Sequence, residues 1–357
     1  MSLPRREFLK FLATTTEAIS LISLLSACDS ENVSELNIAF LAKSLPPQLL
    51  ASLKKNPSLK TVKLKPEASL EVLYQLLVAR EDKDNKSPSP HLVSLGDYWL
   101  TLAIDKNLIH SLALSSLPQW QQIPPKFQQL VTRDNKIWGA PYRWGCTMIA
   151  YRQDLFQSLG WQPSHWQDLW HEDLKGRISL PNHPREVIGL VLKKLGYSYN
   201  TPNPQSIPSL IEQLQTLHQQ VKFYDSRNYL QPLILGDTWL AVGWSSDIVP
   251  VVQRYHKIKA VIPSPGTSLW ADVWVLPSIA NLTPAQKEMI YQWVDFCWQP
   301  EASKQISLFT SGYSPLLTHI PPDVVIPPPT PAILDNSEFI SPSLSPAYRQ
   351  IWQSLFY

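Results

Sequence analysis

Apolar and polar positions along this chain follow two periods in alternation. "LNIAFLA" is an apolar run of strand length, and "PPQLLASLKK" after it carries apolar residues at helical spacing, with proline tolerated in the first turn. "KTVKL" predicts a second strand, and "SLEVLYQLLVAR" an amphipathic helix with Ser69 as its N-cap. "HLVSL" and "DYWLTLAIDKNLI" repeat the strand-then-helix order. Such alternation implies an α/β sheet with parallel strands, in which ligands bind beyond the carboxyl ends of the strands. Residues 41–44 and 95–98 fall at those ends.

A second unit of the same kind follows. "IWGAPYRWGCTMIAYRQDLF" reads as a strand and helix, and "SHWQDLW" as a helix capped by Ser164. Next come the strand "GRISL" and the helices "REVIGLVLKKLGY" and "IPSLIEQLQTLHQQV". The strand "TWLAVGW", the helix "SDIVPVVQRY" and the strand "IKAVIP" close the unit. "PSPGTSLWADVWVLP" places one carboxylate, Asp272, between Trp270 and Trp274 at the start of an apolar run. Helices "TPAQKEMIYQWVDFCW" and "PEASKQISLFT", a proline-rich extended stretch (320–331) and a terminal helix "SPAYRQIWQSLFY" complete the chain. No internal repeat is apparent.

Composition narrows the function classes. A chain of 357 residues with 44% hydrophobic content has room for two domains with real cores. Its 31 basic and 29 acidic residues balance, which argues against the basic stripe of a nucleic-acid binder. Fourteen tryptophans supply flat apolar faces suited to stacking and cation–π contacts. The N-terminus, "PRREFLKFLATTTEAISLISLLSAC", has a basic start and an interrupted apolar middle, so it reads as a targeting segment rather than a membrane span. Arg5-Arg6 resembles a twin-arginine export signal, and Leu25-Ser26-Ala27-Cys28 a lipoprotein box that lipidates Cys28. Cys146 and Cys297, in apolar and aromatic settings, are expected as buried thiols.

Catalytic motifs are missing. There is no nucleophile elbow, no His-Glu-x-x-His, no Cys-x-x-Cys pair and no phosphate-cradling glycine loop, so neither metal nor cofactor is expected. What recurs is a carboxylate beside aromatic residues at predicted strand ends. Asp97 precedes Tyr98-Trp99, Asp247 follows Trp244, Asp272 sits between two tryptophans, and Glu186 opens a helix. Asp97, Asp247 and Glu186 are equally explained as helix-start acids favoured by the macrodipole. Asp272 is not, since a carboxylate on an apolar strand needs a partner. A cationic amine wants this mixture, carboxylates for its ammonium and aromatic faces for its methylenes.

These residues resemble the periplasmic solute-binding proteins of ABC importers, in particular the spermidine/putrescine-binding branch. "IWGAPYRWGCTMIAYRQDLF" is similar to that family's Pro-Tyr-x-Trp-Gly crossover, and "HWQDLWHEDLKGRISLPNHPREVIGLVLKKLGYSYNT" to the segment after it. "PSPGTSLWADVWVLPSIAN" resembles the Gly-x-x-x-Trp-x-Asp segment, and "TSGYSPL" the late Gly-Tyr segment. The resemblance implies an α/β fold of two lobes, type II-like, each a mixed sheet flanked by helices, with a hinge between them. Residues 1–27 would be the signal and 28–35 a tether. Lobe 1 would hold 36–146 and 272–314, lobe 2 147–271 and 315–357. The family's ligand residues fall on Glu186, Trp244, Trp270, Asp272 and Tyr313. Departures are Leu41 and Ser44 where the family carries a Trp and a Tyr, with Lys43 between them. His183 replaces an acid, and Leu95 and Asp97 replace a Ser and a Tyr. Asp97 is a candidate replacement for the lost carboxylate, and Asp247, after Trp244, is a further candidate ligand residue.

The expected function is therefore a lipid-anchored, exported monomer that captures a small organic cation, a polyamine, and delivers it to an ABC permease and ATPase without chemistry. Alternatives are another small solute (a metal chelate, vitamin or amino-acid derivative), an exported hydrolase using Asp247, Glu186 or Asp272, and a sensor that has kept the fold.

Overall fold

The computed structural model describes residues 35–79, 89–317 and 319–356, and the structural account concerns these alone. The signal, tether and Cys28 lie outside them. In chain order the strands are β1 (Leu36–Leu41), β2 (Val62–Glu67), β3 (Leu92–Gly96), β4 (Ile109–His110), β5 (Thr132–Arg133), β6 (Lys136–Ile137) and β7 (Ala140–Arg152). They continue as β8 (Ile178–Leu180), β9 (Val221–Tyr224), β10 (Leu240–Trp244), β11 (Ile258–Val261), β12 (Ser268–Pro277) and β13 (Glu338–Phe339). Hydrogen bonding orders them β2-β1-β3-β12-β7-β10-β8-β9, with β11 on β7 and β4 and β13 on β12.

The parallel expectation holds for β1 with β2 and β3, and for β8 with β9 and β10. It fails at the centre, where β12 runs antiparallel to both β3 and β7, and β10 runs antiparallel to β7. Apolar runs report burial and not strand direction. The thirteen-residue β7 takes β12 as partner up to Cys146 and β10 from Thr147 onward. Two apolar cores form, and β7 contributes to the first on both sides of this change of partner, through Cys146, Met148 and Ala150. One gathers Leu36, Leu92, Trp274 and Trp293, and the other Phe156, Trp166, Ile188 and Tyr348.

Local signals worked where they were chemical. Ser69 caps the helix Leu70–Val78, its hydroxyl accepting from the Val72 N–H at 3.2 Å. The predicted Ser164 cap is corrected by one residue. His165 Nδ1 accepts the Gln167 N–H at 3.0 Å, while the Asp168 carboxylate takes the N–H groups of Ser164 and His165. Two acceptors from one turn satisfy the orphan donors there. Val221, read as a helix end, instead opens β9. Both cysteines are free and buried, as their apolar surroundings implied.

Candidate functional site

The site starts from two isolated charges on apolar strands. In the antiparallel pairing of β12 with β7, Asp272 stands directly opposite Arg143. A bulge follows, since Val273 next pairs with Pro141 and leaves Tyr142 over; such an insertion re-aims the side chains beside it. Arg143 Nη1 donates to Asp272 Oδ2 at 2.6 Å. The guanidinium also donates from Nε to Thr310 Oγ1 at 3.1 Å and from Nη2 to the Thr310 carbonyl at 2.8 Å. It lies 4.8 Å from the centre of the Trp270 ring. Both charges are buried, Arg143 at 5% and Asp272 at 2% exposure. Asp272 therefore has its partner, and that partner belongs to the chain. Burial raises the Asp272 carboxyl above the ordinary range, while Arg143 acts in the opposite sense.

Beside this pair opens a cavity of about 710 Å³. Leu41 and Lys43 after β1, Asp97 after β3, Trp244 and Asp247 after β10, and Trp270, Arg143 and Asp272 line it. Asp97, immediately after β3, and Trp244, the last residue of β10, both line the cavity, at the strand ends where ligands of such sheets bind. Asp97 opens the helix Asp97–Asp105, and its Oδ1 accepts the Ala271 N–H at 3.2 Å. Burial, reinforced by the Asp272 charge, pushes its carboxyl up to about 7. Asp247 lies in the first turn of the helix Ser245–Arg254 and accepts from Tyr229 Oη at 2.8 Å. Lys43 sits in the left-handed region, at φ 70°, which a lysine adopts only under constraint.

Glu186 and Tyr313 are placed differently. Glu186 lies in the first turn of the helix Pro184–Lys194 and is 5% exposed. It accepts from Ser268 Oγ (2.7 Å), Thr147 Oγ1 (3.1 Å) and Trp244 Nε1 (3.3 Å). It stands behind Trp244 and outside the cavity wall. Tyr313 bridges to Trp144 through its backbone and donates its hydroxyl to the Ile326 carbonyl at 2.8 Å. Ser44 is likewise internal, sharing the Tyr142 hydroxyl with Ser94. His183 Nδ1 accepts the Glu186 N–H at the helix start, and burial lowers its pKa. Trp274 is wholly buried and stacks on Tyr142 at 4.4 Å, which is core packing.

Sequence reasoning missed Arg143, Thr310 and Tyr229. The signal for Arg143 was present. A lone arginine inside the apolar run "APYRWGCTMIA" needs a carboxylate as much as Asp272 needs a cation. The glycine two residues later explains how Trp270 reaches the site. A Cβ on Gly145 would stand 2.2 Å from Ser245 Oγ and 2.3 Å from the Trp270 ring. Gly145→Ala is accordingly expected to cost about 1–3 kcal/mol by overpacking. Urea denaturation checks this, and an unchanged midpoint would refute the close approach.

The profile of bacterial extracellular solute-binding proteins matches residues 54–331. The chain belongs to that family. It is 28% identical over 269 residues to the spermidine/putrescine-binding periplasmic protein of Escherichia coli, covering 75% of this chain and 74% of that one. The E. coli putrescine-binding periplasmic protein PotF is 25% identical over 264 residues, covering 68% and 70%. Among solved structures, the spermidine/putrescine substrate-binding protein PotD of Streptococcus pneumoniae aligns with a TM-score of 0.78 at 22% identity, covering 90% of this chain and 98% of that one. The TpPotD lipoprotein of Treponema pallidum aligns with a TM-score of 0.71 at 18% identity, covering 90% and 99%. At these identities the structural likeness speaks for the fold. That fold is the two-lobed α/β fold of periplasmic binding proteins.

Proposed function

We propose that this protein captures a small amine-bearing solute in the cavity between β1, β3 and β10 and hands it to an ABC importer. The carrying observation is the cavity wall itself. Asp97 and Asp247 line it beside the aromatic faces of Trp244 and Trp270, a setting that receives an ammonium group and the methylenes behind it. The relatives named for spermidine and putrescine make polyamines the reference ligands. Capture and release proceed by hinge closure without covalent chemistry. The change of partner along β7 after Cys146 supports two lobes meeting there, 36–146 with 272–314 and 147–271 with 315–357, while the first apolar core also takes in Tyr229, Leu233, Ala241 and Ile248 from the second. Export through Arg5-Arg6 and anchoring at Cys28 complete the reading, and they place the monomer outside the cytoplasm, beside a permease. No helix among the described residues is long and apolar enough to cross a membrane.

Calorimetry and thermal shift with a panel of primary amines, led by putrescine and spermidine, test the reading. At least one amine is expected to bind with a micromolar or tighter dissociation constant. Trp244→Ala is expected to weaken that binding about tenfold or more, as truncation of a packed aromatic wall does. Silence across the whole panel would sink the proposal.

A further inference from the structure

We propose that the cavity selects an amphoteric chain, an ω-amino carboxylate with an ammonium at one end and a carboxylate at the other, and that Arg143 makes the selection. This rests on the reading of the cavity as the solute site. A diamine needs a second anionic receptor, and the obvious one is occupied. Asp272 Oδ2 is held by Arg143 Nη1 at 2.6 Å, and the same guanidinium stands 4.8 Å from the centre of the Trp270 ring. The place where a second ammonium would rest is filled by a cation of the protein, and a like charge brought beside it is repelled.

The groups left over at that end are donors. A guanidinium has five N–H groups, and Arg143 spends three of them on Asp272 and Thr310. The indole N–H of Trp270 is buried without an acceptor among the described residues. Lys43, on the same wall, has no ion-pair partner among them. Unpaired donors and two cations suit an oxyanion, and guanidinium is the side chain best shaped for a carboxylate.

The acids left over are fewer than the sequence suggests. With Asp272 neutralised by Arg143, the remaining carboxylates on the wall are Asp97 and Asp247. Burial and the Asp272 charge hold Asp97 partly protonated near neutral pH, at about 7. Asp247, exposed at a helix start and without a basic partner among the described residues, is the receptor for one ammonium. One ammonium receptor and one donor-rich end describe a zwitterion of separated charges.

The test compares length-matched probes on the purified wild-type protein by calorimetry. 5-Aminopentanoate is set against 1,5-diaminopentane and 4-aminobutanoate against 1,4-diaminobutane, with spermidine as a third arm. The amino acid of each pair is expected to bind at least about tenfold more tightly than its diamine, since each factor of ten is a modest difference in contact energy. Diamines or spermidine binding as well or better would overturn this inference and leave amine capture standing. No binding in any arm would sink both. Lys43→Gln, at an exposed position, is expected to weaken the amino acid and not the diamine. Arg143→Met is expected to move the preference toward the diamine by freeing Asp272. An unchanged preference in a folded Arg143→Met protein would remove Arg143 from the selection.

Discussion

Replacing Asp272 with alanine is expected to lower the unfolding free energy by about 3–5 kcal/mol, because it strands the largely buried Arg143 guanidinium without its counter-charge. The residue is 2% exposed and Arg143 5%, so water from the adjoining cavity replaces the lost contact only in part. Thr310 alone remains, with a hydroxyl and a carbonyl, and neither carries charge. Urea denaturation of wild type and variant measures the difference. Added salt is expected to change it little, since buried pairs are poorly screened. The double variant Arg143→Met with Asp272→Leu is expected to be more stable than either corresponding single variant, because no unpaired charge is left. A loss below about 1 kcal/mol for Asp272→Ala would show that the pair is solvated and the account wrong.

The second large effect is a pH dependence at Asp97. In the unfolded chain its carboxyl titrates at the ordinary 3.8, and in the folded protein at about 7. Between these values the native state holds a proton that the unfolded state has released. Stability should therefore be highest at the acid end of that window, fall as pH rises from about 4 to 7, and level off above it. The full drop is roughly 2–4 kcal/mol, bounded by three units at 1.36 kcal/mol each. Asp97→Asn is expected to remove this slope and to be the more stable protein at pH 8. An ammonium captured in the same cavity, with Asp247 as its receptor, favours the ionised form of Asp97 by charge, so amine affinity should rise between pH 6 and 8 with proton release. Calorimetry in buffers of different ionisation enthalpy reads that release directly, and flat profiles in stability and binding together would refute the assignment.

Much of the fold was legible because its signals are local. Ser69 before an amphipathic run is a cap wherever the rest of the chain goes, and the apolar runs of β1, β3 and β10 mark buried strands by composition alone. Acids at the first turns of helices were readable for the same reason, and those at Asp97 and Asp247 reach the cavity. Glu186 carries the same local signal and is turned inward to Ser268, Thr147 and Trp244. Periodicity says that a residue opens a helix and is silent about which wall that helix faces.

Two lone charges on two apolar strands were determined by the sequence, together with the rule that each needs a partner. Which partner was not. Asp272 and Arg143 are 129 positions apart, and only the antiparallel register of β12 on β7, shifted by a bulge beside them, sets one against the other. Strand direction and register are decided by the packing of the whole sheet, because every alternative pairing offers similar backbone hydrogen bonds and differs in what it buries. The chain by itself announced a carboxylate among tryptophans; the folded sheet brought the arginine that neutralises it.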